Sequence, residues 1–196
     1  MRFNLFAAVF ALALLAASGT VALAQNQQYA GQQDRQIKSL SAEDIEELKA
    51  GKGWGLAKPA ELNGYPGPSH VLELKTQLAL TPQQEAGIKD LFDQMKASAV
   101  PLGLKLIDLE RDLDELYISK KVNAQNLEEL LLKIGEVRSR LRFAHLSAHL
   151  KTVEILSKEQ VAKYNELRGY GKLDPCKNVP EGHDPAMWKK HNGCSE

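Results

Sequence analysis

His145-Leu-Ser-Ala-His149 places two imidazoles four residues apart. On a helix that spacing puts both rings on one face, where they can share a divalent transition metal such as zinc, nickel, cobalt or copper once a third ligand arrives. His70 or Glu73 on a preceding helix, or a second subunit, would have to supply it. Arg138 and Arg142 lie on the same edge, and fixed positive charge beside a cation site is unhelpful. The edge therefore has three possible uses: a metal site, a plain polar surface, or a basic surface that touches anions or client proteins.

The second candidate lies in the tail. Cys176 and Cys194 are the two cysteines of the chain. In an oxidising compartment they are expected to pair, and closing such a loop constrains the unfolded chain by about 3 kcal/mol. His183 and His191 fall inside the loop, but C-x6-H-x7-H-x2-C matches no familiar zinc spacing. The sequence contains no Gly-rich phosphate loop, no nucleophile elbow and no carboxylate pair in a setting that would raise a pKa. It predicts a protein that is not an enzyme and requires no cofactor.

The elements that must position these residues are helices. Thr81-Pro82-Gln83-Gln84 is a start signal: Thr81 can cap, Pro82 suits the first helical position, and Gln84 can complete a capping box. Apolar or small residues then fall at 88, 92, 95, 99, 102, 106, 109, 113 and 116, alternating steps of four and three. That pattern presents one narrow stripe to another helix. After a break at 119–123, with Asn123 as the next cap, a second stripe runs through Leu127, Leu130, Ile134, Val137, Leu141, Ala144, Ala148 and Ile155. The short break makes the pair antiparallel. If Leu116 meets Leu127, His145 and His149 face the neighbourhood of Ser98 and Gln94. Ser157-Lys-Glu-Gln160 repeats the capping signal and opens a last helix, which Gly169 ends.

Two features of the hairpin ask for a partner. Pro101 sits inside the first long helix, where it removes one hydrogen bond and can bend the rod. Phe143, Leu146, Leu150 and Val153 form a further apolar stripe, nearly opposite Leu141, Ala144 and Ala148. Either the chain's own ends, a second copy or a client must cover it.

Before the hairpin, Gln25 to Gln33 is a polar lead-in, and Ser41-Ala-Glu-Asp44 opens a short helix that Gly51 stops. Gly-rich and Pro-rich turns follow at 51–55 and 63–68, and Pro68 can start a helix through Leu78. At the very start, Arg2 is followed by an apolar run from Leu5 to Leu15, and Ala22-Leu23-Ala24 offers a signal-peptidase site. The run is short for a bilayer span, so a cleaved leader over 1–24 and export without stable membrane insertion are expected. Losing residues 1–24 removes Arg2 alone and leaves 24 basic against 25 acidic side chains. Such a balance argues against a dedicated nucleic-acid binder.

Leu80-Thr-Pro-Gln-Gln84 matches the LTxxQ signature of the Spy/CpxP group of periplasmic proteins, and Leu156-Ser-Lys-Glu-Gln160 resembles a second copy with Ser157 in place of Thr. The order of parts, leader, motif, long hairpin, motif and short helix, is also similar. The resemblance covers 68–170, whereas the 25–67 extension and the 171–196 tail depart from it. It implies an all-α fold, a long antiparallel hairpin with short flanking helices, often paired as a cradle-shaped homodimer. It also implies an ATP-independent chaperone or envelope-stress protein that binds unfolded or envelope proteins; on this chain the basic edge and the further stripe make Arg138, Arg142, Phe143, Leu146 and Leu150 the expected client surface. The alternative is a heavy-metal sensor or resistance protein using His145, His149 and His70.

Overall fold

The computed structural model describes residues 29–170, 176, 179, 184–191, 193 and 194. The expected leader and its cleavage point lie outside them. The chain divides into two units, 1–33 and 34–196, and the fold set out below is that of the second.

Seven helices are present among the described residues: α1 (Ala42–Lys49), α2 (Lys58–Glu61), α3 (Pro68–Glu73), α4 (Pro82–Ile118), α5 (Ala124–Ile155), α6 (Lys158–Leu167) and α7 (Pro185–His191). Their starts follow local chemistry. Ser41, Thr81, Asn123 and Ser157 each accept a hydrogen bond from the backbone three residues on. Asp44, Gln84, Asn126 and Gln160 return one to the capping residue's own N–H. These reciprocal bonds satisfy donors that the first turn would otherwise leave open. Pro101 is exposed, and α4 runs through it unbroken from Pro82 to Ile118.

The helices α4 and α5 pack together as the long pair of the fold. The expected seam is buried at Ile88, Ala99, Leu106 and Leu109 on α4 and at Ile134, Leu141 and Ala148 on α5. Leu91, Gly103 and Ile107 are buried as well, although they lie off that stripe. The extra burial of Gly103 and Ile107 has a cause: α1 lies along that flank of α4. Ile37, Leu40, Leu48 and Leu56 join Leu106, Ile107, Ile134 and Leu141 in one core. A second core gathers Val71, Leu78, Ile88, Leu156 and Tyr164 at the open end of the hairpin. Residues 37–79 are thus a cover laid over one face of the long pair.

The cover comes into backbone contact with α4 at Gly103. A Cβ built there would stand 2.3 Å from the Leu48 carbonyl oxygen and 2.9 Å from its carbon, so backbone itself would have to retreat. Gly103→Ala is expected to destabilise the fold by about 1–3 kcal/mol through overpacking, although alanine is the better helix former. A urea midpoint equal to that of the parent chain would contradict this.

Two local expectations change. The helix from Pro68 stops at Glu73 rather than Leu78, and 74–79 proceeds in turns, with the Leu78 N–H on the Leu74 carbonyl at 2.9 Å and Ala79 at φ 48°. The turns bring Leu78 down onto Ile88 and Tyr164, and that burial overrides helix propensity. The one-turn helix α2, with Pro59 in its first turn, falls between the two turn stretches, where the sequence reading placed no element.

Candidate functional site

The two LTxxQ-like motifs meet. The Gln84 side-chain amide donates to Gln160 Oε1 at 2.8 Å, and the Gln160 amide donates to Gln84 Oε1 at 3.0 Å. Each amide nitrogen has a second acceptor, the Ile155 carbonyl at 2.9 Å for Gln84 and the Leu78 carbonyl at 3.2 Å for Gln160. Each Oε1 also takes the N–H of its own cap, Thr81 or Ser157. Every donor and acceptor of the two amides is used, as partly buried polar groups require. Leu80 and Leu156, the leading residues of the motifs, pack into the second core beside this clasp.

His145 and His149 do not form an exposed edge. They are 2% and 7% exposed, and His149 lies beneath the cover, against Tyr65 and Gly67. His149 Nδ1 lies 2.7 Å from the Tyr65 carbonyl, which can only accept, so this nitrogen carries the proton. Its other edge abuts Gly67, where a Cβ would come within 2.9 Å of the ring. Pro66-Gly67-Pro68 is therefore a lid with no room for a side chain at its centre. His145 Nε2 is buried with no hydrogen-bond partner among the described residues. Burial first, and the neighbouring His149 second, hold the His145 pKa below the ordinary imidazole value.

Glu61 is the hub of this buried cluster, and nothing in its local sequence marks it. Its carboxylate accepts the Tyr164 hydroxyl at 2.5 Å and the Gly67 N–H at 3.3 Å. It also faces Arg168 Nε at 3.5 Å and His149 Nδ1 at 3.8 Å. Burial, then the bond to Glu61, pushes the Tyr164 hydroxyl far above the usual phenol range. Paired on several sides, the buried charge ties α2 and the lid to α5 and α6. His70 stays apart, its Nδ1 3.1 Å from Glu73 Oε2. Among the described residues no group of three or more His, Cys, Asp or Glu side chains has the arrangement to hold a metal ion.

The residues expected to contact clients separate. Arg138 and Arg142 are both exposed, and Arg138 stacks on the Trp54 ring of the cover, 4.9 Å from its centroid. Leu146 is half-buried, whereas Phe143 is 70% and Leu150 55% exposed. Leu132, also 70% exposed, lies on the same side of α5 by its spacing of 11 and 18 residues from them.

Beside this stripe, on the flank of the hairpin away from the cover, α4 and α5 leave an open groove of about 540 Å³. Leu91, Met95, Leu102, Phe143, Ala144 and Ala148 form its apolar surface, with Arg140 and Lys151 at the edge and no carboxylate in the lining. Of the expected site residues only Phe143 lines it. The small residues Ala144 and Ala148 on the α5 stripe were the available signal, since they leave space where leucine would fill it.

In the tail, Cys176 and Cys194 are disulfide-bonded, with their Cα atoms 5.4 Å apart. His191 ends α7, and His183 lies outside the described residues. No helix among the described residues is long and apolar enough to cross a membrane.

Compared with protein-family models, with curated proteins and with solved structures, the chain gives no significant match. The likeness to the LTxxQ group therefore rests on the motifs and on the hairpin between them.

Proposed function

We propose that this chain is a periplasmic, ATP-independent holding protein of the Spy/CpxP type, which captures apolar segments of unfolded or envelope proteins on the uncovered side of its hairpin. One observation carries the reading: the cover hides one face of the long helix pair, yet Leu132, Phe143 and Leu150 remain on the surface of α5. Monomeric proteins rarely leave such a stripe beside an apolar groove without a use. Each such side chain contributes roughly 1.5–3 kcal/mol when a client buries it, enough for capture that reverses without nucleotide. The disulfide fits an oxidising compartment.

The test is aggregation of a chemically denatured protein diluted into buffer with and without the chain. Suppression near equimolar ratio, without ATP, is the expected result. The double variant Phe143→Ser/Leu150→Ser should lose most of it while keeping its helical circular dichroism. Unchanged aggregation with the parent chain would remove the proposal.

A second reading, a metal-responsive protein, is favoured by the unpartnered Nε2 of His145. It requires the lid to lift, because His149 Nδ1 is committed to Tyr65. Calorimetric titration with zinc or nickel separates the two: heat that disappears in His145→Ala/His149→Ala supports the metal, and no heat at micromolar metal discards it.

A further inference from the structure

The groove between α4 and α5 has the composition of a ligand site as well as the size. About 540 Å³ falls within the roughly 300–1,000 Å³ of small-molecule sites, and although Gln94, Ser98, Ser139, Arg140, Ser147 and Lys151 also line it, most of the surface it exposes is apolar, as in such sites. Its charges have one sign. Arg140 is held by Glu136 at 2.7 Å, whereas Lys151 has no ion pair among the described residues. Both cations lie on α5, eleven residues apart, which is roughly 16 Å along a helix. A single free positive charge therefore stands toward one end of an apolar trough.

The hydrogen-bonding capacity of the walls narrows the occupant. The Ser98 hydroxyl donates to the Gln94 carbonyl at 3.1 Å and the Ser147 hydroxyl to the Ala144 carbonyl at 3.2 Å, so both are turned onto their own helices. Of the uncharged side chains only Gln94 and Ser139 remain to pair with an extended peptide in the trough, so most of its backbone amides would go unpaired, and unpaired amides removed from water are costly. An alkyl chain needs none. We propose that the groove binds a free long-chain fatty acid, with the chain along Leu91, Met95, Leu102 and Ala144 and the carboxylate on Lys151. This reading shares Phe143 with the outer stripe but not Leu132 or Leu150, so Leu150→Ser alone tests the holding activity without touching the trough.

Sodium laurate, kept below its micelle concentration, is titrated calorimetrically into the purified chain. One laurate per chain is expected, with at least tenfold weaker binding of uncharged dodecyl maltoside. Lys151→Glu should weaken laurate at least tenfold, and Ala144→Trp should abolish binding by filling the trough. Ser98→Trp closes it from the opposite wall and serves if Ala144→Trp loses its helical circular dichroism. Equal binding of the charged and uncharged amphiphiles, or undiminished laurate binding in a folded tryptophan variant, overturns the proposal. So does an acidic apolar peptide that binds with the same dependence on Lys151 while laurate does not. The aggregation assay is read separately, so either reading can fail alone.

Discussion

Tyr164→Ala is expected to lower the free energy of unfolding by about 3–5 kcal/mol, the range for truncating a large buried ring. Tyr164 is fully buried in the core shared with Val71, Leu78, Ile88 and Leu156, and its hydroxyl serves the Glu61 carboxylate. Removing it opens a cavity and also takes a donor from a buried charge, and the second effect adds to the first. Tyr164→Phe separates them: it keeps the ring, removes the hydroxyl and should cost about 1–3 kcal/mol. Urea unfolding followed by circular dichroism gives both values. A Tyr164→Ala midpoint close to that of the parent would show that α6 and the lid are not coupled to the hairpin.

The second large effect is the response to mild acid. His145 is buried and uncharged, with its pKa depressed first by burial and then by His149. The unfolded chain takes up a proton near the ordinary value of about 6.5, while the folded chain resists it. His145 therefore contributes stability that is present above about pH 6.5 and is lost as pH falls from there through its lower folded value. In that window one such group gives a slope of up to about 1.4 kcal/mol per pH unit. His145→Leu, which keeps the volume and removes the titration, should flatten the slope between pH 6.5 and 5 without lowering stability at pH 8. A slope unchanged by the substitution would place the acid sensitivity elsewhere. Relief of the charged imidazole has a structural outlet, because the Pro66-Gly67-Pro68 lid over the neighbouring His149 is held by single hydrogen bonds, from Gly67 N–H to Glu61 and from His149 to the Tyr65 carbonyl.

The hairpin could be read from periodicity because its determinants are local. Steps of four and three place Ile88, Ala99 and Leu106 on one line of a helix whatever packs against them, and caps such as Thr81 and Gln84 lie within one turn of each other. The cover could not be read in this way. The 51–68 stretch has no repeat, being built of turns and the one-turn α2, and its position over α5 is fixed by contacts more than 80 residues apart in sequence, such as Tyr65 with His149. The histidine pair shows the difference. Spacing put both rings on one face, but whether that face met solvent or the lid depended on Gly67, whose missing side chain admits the His149 ring. Glu61, followed by ordinary turn residues, gave no sign that it would be buried among Tyr164, Arg168 and His149. Gly103, an off-stripe glycine in a long helix, marks the crossing chain, but Gly87 and Gly135 are of the same type without backbone against them, so type alone did not single it out.

The amide pair of Gln84 and Gln160 gives the hairpin a direction in which to breathe. It joins residues 76 apart in sequence, at the end where α4 begins and α5 finishes. The 119–123 bend holds the other end by covalent connection, with Tyr117 and Ile118 exposed beside it. Separation of the two rods is expected to start beside that bend, at the half-buried Leu113 and Leu130, which faster amide hydrogen exchange there than at Gln84 and Gln160 would show. A protein built this way can loosen its tip to admit a guest and still remember its register.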